Sequence, residues 1–185
     1  MSHETQHPPM DPDTDEASAE QLEFARAQGD AYGRALHLMT GKIADDGGEQ
    51  HAGDYLIGYA VERAEGMYRW TGNGVEWVEA GEDNCHVEVS VRDAGDGRFI
   101  PDCGVSVTLT GADGTELGTH EQPMLWHPML YHYGRNWRVP GDGEYSLRIK
   151  VAPPTFMRHD EVNGRRFLEP AEVEFHGVRI TTGTD

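Results

Sequence analysis

Lysine is almost absent from this 185-residue chain: only Lys42 and Lys150 occur, and the remaining basic side chains are arginines. Positive charge is scarce altogether, with 15 basic residues against 33 acidic ones and a net charge of −18. Such a surface repels phosphate backbones and anionic bilayers, so neither nucleic acid nor a membrane surface is an expected partner. It attracts cations, and it suits a protein kept soluble at high salt, where self-repulsion is screened. Long apolar runs are missing too. Nothing approaches the roughly 18–20 residues of a spanning helix. Residues 1–16, MSHETQHPPMDPDTDE, lack a basic leader and an apolar stretch, so they do not read as a secretory signal. A cytoplasmic chain and a trimmed exported precursor both remain open. Cysteine is limited to Cys85 and Cys103, too few for a disulfide framework. They begin two successive β-type runs. If those runs pair as a hairpin, the thiols lie far beyond the ~7 Å Cα limit of a bridge, and free thiols are expected, with Cys85 in the core. Also absent are a Ser/His/Asp triad, a phosphate-binding glycine loop and an H-E-x-x-H helix.

What is present divides into three parts. Residues 1–16 are polar and rich in Pro, Asp and Glu, and are expected to be a disordered acidic tail. Residues 17–45 read as an amphipathic helix, with Leu22, Ala25, Gly29, Tyr32, Leu36 and Met39 on one stripe. Ser18 and Gln21 form its capping box. Gly29 and Gly33 each weaken such a helix by roughly 1 kcal/mol relative to Ala, so it needs docking to persist. Residues 52–182 carry strand and turn signals. Thr71-Gly72-Asn73-Gly74 separates Trp70 from Val75 as a hairpin loop. In Cys85 to Arg92, Val87, Val89 and Val91 alternate with His86, Glu88 and Ser90. Gly104 to Thr110 and Glu144 to Val151 alternate in the same way, as do Val173 and Phe175. Seven or eight such strands predict a mainly β fold, an immunoglobulin-like antiparallel sandwich with an N-terminal helix.

His86 and Glu88 stand two apart on a strand, so both leave the face opposite the valines, about 7 Å apart at Cα. That geometry suits a shared metal ion, although such a pair on a solvated face is also ordinary. The segment Pro123 to Gly134 is less so: it holds Met124, His127, Met129 and His132 with almost no charge. Its prolines, Pro123 and Pro128, predict a structured loop rather than a central strand. Thioether with imidazole favours copper, Cu+ above all, while imidazole with carboxylate also suits Cu2+, iron and zinc. The alternative is an aromatic loop that plugs the end of the sandwich. His159, on a loop after the last strong strand, is a further candidate ligand.

Together these segments resemble the periplasmic iron-transport accessory proteins, the Fe2+ transport protein family. The resemblance runs through Tyr55-Leu-Ile-Gly58, Glu65-Gly66-Met67, His86-Val87-Glu88 and Phe99-Ile100-Pro101. It continues in Pro123-Met124, His132-Tyr133-Gly134, Gly141 to Tyr145, Pro153-Pro154 and Arg158-His159-Asp160. The later segments look closest to haloarchaeal members. The resemblance implies a copper-binding immunoglobulin-like sandwich, a homodimer that accompanies an iron permease. Carried over residue by residue, the ligands are His86, Met124, His132 and His159, with Glu88 beside them. The stretch Leu125 to Tyr131 is one residue longer than the family's, which leaves Met124 or Met129 as the thioether and makes His127 an extra candidate. The expected function is copper or iron binding, with zinc as a further ion, in iron or copper uptake. Two alternatives stand beside it, a metal-free immunoglobulin-like interaction module and a copper or iron redox enzyme.

Overall fold

The computed structural model describes residues 10–185. Helix α1 (Ala19–Lys42) precedes eleven strands. They are β1 (Asp46–Ala52), β2 (Tyr55–Glu62), β3 (Met67–Trp70), β4 (Val75–Val78), β5 (Cys85–Asp93), β6 (Gly104–Gly111), β7 (Glu116–Glu121), β8 (Met124–Trp126), β9 (Tyr131–Trp137), β10 (Gly143–Ala152) and β11 (Ala171–Ile180). A five-stranded antiparallel sheet, β1-β2-β5-β9-β8, packs on a four-stranded one, β11-β10-β6-β7, and β3 and β4 form a separate hairpin. This is the expected immunoglobulin-like sandwich with an N-terminal helix.

The alternating residues meet between the sheets. Ile57, Val87, Val89 and Val91 from one side face Val107, Leu109, Leu147 and Ile149 from the other in a single apolar cluster. Burying each such side chain contributes about 1.5–3 kcal/mol. Cys85 and Cys103 are buried in the same cluster as free thiols.

Four of the eleven strands, β1, β7, β8 and β9, were not anticipated from the sequence. Three of them, β1, β7 and β8, are edge strands with a neighbour on one side only. The largely polar β1 and β7 carry no apolar alternation to read, and the three apolar residues of β8 are too few to show one. The fourth departure is a correction: Pro123 to Gly134 is not a loop but the β8–β9 hairpin. Pro123 lies just before β8 and Pro128 lies in the turn, so neither interrupts a ladder hydrogen bond.

The helix lies across the outer face of the five-stranded sheet. Ser18 and Gln21 cap it reciprocally, as expected, with Ser18 N donating to Gln21 Oε1 at 2.8 Å and Gln21 N to Ser18 Oγ at 3.3 Å. Leu22, Ala25, Gly29 and Met39 are its buried residues. Gly29, a liability for helix propensity, is required by the docking: a Cβ there would fall 1.7 Å from the Asp96 carbonyl oxygen. Tyr32 stacks on Phe99 at 5.6 Å and donates its hydroxyl to the Tyr131 carbonyl at 2.5 Å. Toward the N-terminus, residues 10–16 are not the loose tail expected. Asp11 N donates to Asn163 Oδ1 at 2.8 Å and Thr14 Oγ1 to Asp160 Oδ2 at 2.6 Å. The rest of that expected tail, residues 1–9, lies outside the described residues. Among the described residues no helix is long and apolar enough to cross a membrane.

Candidate metal centre

Strand parity places the key side chains. Because Val87, Val89 and Val91 fill the core, His86 and Glu88 leave the opposite face of β5. On β9, Tyr133 points into the core, where its hydroxyl donates to the Ile100 carbonyl at 2.8 Å and accepts from Cys103 N at 3.0 Å. That anchor turns His132, Gly134 and Asn136 outward. In the β5–β9 register, His86 pairs with Asn136 and Glu88 with Gly134, so His132 sits diagonally beside Glu88. His86, Glu88 and His132 consequently converge, each offering one ligand atom within 4.8 Å of the others.

This outer face is not the exposed surface anticipated from the sequence. His86, Glu88 and His132 are 0%, 6% and 4% exposed. Over Glu88 and His132 the cover is the chain's own helix. A cavity of about 310 Å3 lies between α1 and the sheet, with Glu88, Ser90, Arg92 and His132 on its floor and Leu36 and His37 on its helical side. Gly134 keeps room at the floor: a Cβ there would stand 3.0 Å from His86 Nε2 and 3.2 Å from Leu125 Cδ1.

Burial without compensation sets the electrostatics. Glu88 is pushed up to about 8, first by burial and then by the charges of Glu62 and Glu65. Glu62, which pairs with His86 across β2 and β5, is raised to about 7, by burial and by Glu65, Asp185 and Asp45. His132 is pushed down to about 3 by burial, assisted by His86 and His127. Burial also lowers His86, against the hydrogen bond it donates to Asn136 Oδ1. His132 Nε2 lies 3.2 Å from Glu88 Oε1 but out of line for a hydrogen bond. Since the acid is raised and the imidazole lowered, this is a contact of two neutral groups at pH 7 and not an ion pair.

The nitrogens of this group are free in a specific sense. Asn136 Nδ2 donates to the Glu65 carbonyl at 2.7 Å, which aims Asn136 Oδ1 at His86 Nδ1, 2.9 Å away. The proton of His86 is thereby held on Nδ1, and the lone pair is on Nε2. His86 Nε2, both ring nitrogens of His132 and Glu62 Oε1 are buried without a hydrogen-bond partner. Buried polar atoms left unsatisfied are costly unless something is meant to meet them. Two imidazoles, a carboxylate and a ring of further carboxylates fit a divalent transition-metal ion. Bonds of about 2.0–2.1 Å require the ligand atoms to close to roughly 3.4 Å, a small rotation of the side chains.

The other expected ligands are placed differently. Met124 pairs with Tyr133, so it is on the core-side face of β8, opposite to His132, and is 51% exposed. The residue that shares the His132 face is Leu125. His127 and Leu130 close the hairpin turn through paired backbone hydrogen bonds of 3.0 and 3.2 Å. His127 Nδ1 accepts from Met129 N at 3.2 Å, so in this arrangement its proton is on Nε2 and no lone pair faces outward. Met129 is half-buried in the same turn. His159 is not brought to the cluster within the chain: it is exposed and lines a separate cavity with Leu22, Arg98 and Asp160. Its loop is tied to residues 11–14 by the Asp160 and Asn163 hydrogen bonds, away from the cluster. Sequence reasoning missed Glu62, Asn136 and Leu125. The signal for Asn136 was the alternation His132-Gly134-Asn136, hidden once the segment was taken for a loop.

A UPF0423 protein of Brucella abortus (strain 2308) is 29% identical over 170 residues, covering 83% of this chain and 87% of that protein. Among solved structures, FetP of uropathogenic E. coli strain F11 superposes with a TM-score of 0.61 at 19% identity, over 74% of this chain and 94% of that one. The copper-reconstituted P19 protein from Campylobacter jejuni superposes with a TM-score of 0.62 at 17% identity, over 75% of this chain and 96% of that one. At these identities the two structures establish the fold. The family profile described as Fe2+ transport protein matches residues 47–179, from β1 to the end of the last strand. The chain therefore belongs to the Fe2+ transport protein family.

Proposed function

We propose that the protein binds a copper or iron ion at His86, Glu88 and His132 and serves as an accessory in iron or copper uptake. The observation that carries this reading is a pair of buried imidazoles, with His86 Nε2 and both His132 ring nitrogens lacking partners, beside a carboxylate raised to about 8. Such a group is uncomfortable in the empty protein and is satisfied by a cation, which displaces the Glu88 proton on binding. The copper-reconstituted P19 neighbour supports copper, and the family description supports iron. Zinc has the same ligand preferences and is a further candidate. Proton exchange supplies a simple release step, since acidification returns the proton to Glu88 and weakens the site.

A second copy of the chain and an iron permease are the partners this reading implies. Strand β8 is a free sheet edge with Met124, Trp126 and Tyr131 exposed around it, a surface suited to association. Light scattering across a concentration series tests the homodimer. The binding reading is tested by calorimetric titration of the purified protein with Cu2+ and with Fe2+ under anaerobic conditions. One ion per chain is expected, with binding weakened at least tenfold in His132→Ala. No binding tighter than about millimolar, or binding unaffected by that substitution, would sink the reading.

A further inference from the structure

Along the paired strands β8 and β9, register decides which side chains share the face of the ion group, and none of them is a thioether. Leu125 is the cross-strand partner of His132 and shares its face. Its Cδ1 and His86 Nε2 both crowd the point above Gly134, at 3.2 and 3.0 Å. Met124 is one residue earlier and projects to the other side of the sheet, beside Tyr133. A one-residue slip of β8 would be needed to exchange them. Such a slip would invert every side chain of the strand and turn exposed Trp126 toward the helix. Met129 is confined to the turn, where its backbone is engaged by His127.

We propose that the site of this chain is a thioether-free centre of two histidines and one glutamate, with Leu125 as an inert wall where a sulfur ligand would have to stand. This rests on the metal-binding reading above and narrows it to one class of ion. Two imidazoles and a carboxylate on one side of an ion, with the remaining positions open, suit Fe2+ and Cu2+. Cu+ is soft and prefers sulfur, and here it meets an alkyl group and an anionic oxygen. The neighbouring carboxylates Glu62 and Glu65 strengthen the bias, because they reward the higher positive charge. The site therefore holds divalent ions and discriminates against Cu+.

The experiment measures Cu+ affinity by competition with a chromophoric Cu+ chelator, and Cu2+ affinity by calorimetry, on the full chain. Four proteins are compared: wild type, Leu125→Met, the double variant Met124→Leu/Met129→Leu, and His132→Ala. Leucine and methionine have similar volumes and exchange with little effect on folding. Leu125→Met is expected to tighten Cu+ binding at least tenfold while Cu2+ affinity changes less than threefold. The double variant is expected to match wild type within twofold for both ions. In the Cu2+-loaded wild type, electron paramagnetic resonance is expected to show equatorial nitrogen and oxygen donors, with nitrogen splitting reduced in His132→Ala. A tenfold loss of Cu+ affinity in the double variant would overturn the proposal, because a methionine would then be a ligand. So would a Leu125→Met variant without any gain for Cu+. In both cases Cu2+ binding that depends on His132 would leave the binding reading itself standing. Absence of binding by any of these ions to the wild type would overturn both.

Discussion

The raised pKa of Glu88 makes a quantitative prediction about the metal-free protein. In the unfolded chain this carboxyl titrates near its ordinary value of 4.5, and in the folded protein near 8. Between those values the folded state holds a proton that the unfolded state has released, so folding stability declines as pH rises through the interval. The slope is about 1.4 kcal/mol per pH unit. The window from about pH 6.5 to 8.5 isolates the effect. Below it the lowered His86 and His132 oppose the trend, since their unfolded forms protonate near 6.5. Above it the buried Cys85 and Cys103, raised to about 12 and 11, begin to contribute. Inside the window Glu88 accounts for about 2 kcal/mol, or roughly 4–8 °C in melting temperature for a chain of this size. Glu62, raised to about 7, adds less than about 1 kcal/mol. Glu88→Gln replaces the protonated acid by an amide of the same shape. Thermal melts in the presence of a chelator should therefore show most of the decline vanish in Glu88→Gln, and saturating Cu2+ should remove it in the wild type. A Glu88→Gln protein that retains the full decline would refute the reasoning, because the buried charge would then be elsewhere.

Three further perturbations test the surroundings of the site. Gly134→Ala puts a Cβ 3.0 Å from His86 Nε2 and 3.1 Å from the Val87 carbonyl oxygen. It should weaken Cu2+ binding at least tenfold in calorimetry, with a stability loss of about 1–3 kcal/mol; unchanged affinity would mean that the ion sits elsewhere. Asn136→Ala frees His86 Nδ1 and leaves the Glu65 carbonyl unmet, so ion affinity should fall roughly 10–100-fold, as for other outer-shell partners. Gly29→Ala drives a Cβ into the Asp96 carbonyl, and the helix must lift from the sheet. Chelators should then strip the ion faster than from the wild type, and amide exchange on β5 should accelerate; equal rates in both proteins would show that α1 is not the cover. Finally, with a net charge of −18, raising salt from about 0.1 to 1 M shortens the screening length from about 10 to 3 Å and should raise the melting temperature.

The sandwich was legible because its central strands are buried on at least one face. Val87-Val89-Val91 and Leu147-Ile149-Val151 declare their orientation through period-two alternation, and that parity also turned His86 and Glu88 outward correctly. Alternation fades at the edges. The segment Asp46 to Ala52, DGGEQHA, has a strand on one side only and no apolar repeat to announce it, and yet pairs in full register with β2. The β8–β9 hairpin was hidden by its prolines, whose effect depends on position: Pro123 and Pro128 bracket three residues of strand and leave the ladder intact. That error carried into the site. Once the segment is a loop, Met124 and Met129 are free to reach anywhere, and composition alone nominates them as ligands. Once it is a strand paired with β9, the partner of His132 is fixed as Leu125. The same holds for the helix. Its stripe was visible, but nothing local reveals that Gly29 is there to meet the Asp96 carbonyl, since the two are brought together only by the tertiary fold. A pair read as lying on an open sheet face is for that reason enclosed, and the enclosure changes its chemistry. Solvated, Glu88 and His132 would be an ordinary acid and base. Beneath α1 they are both neutral and poorly hydrogen-bonded, the state in which a divalent ion gains most by entering.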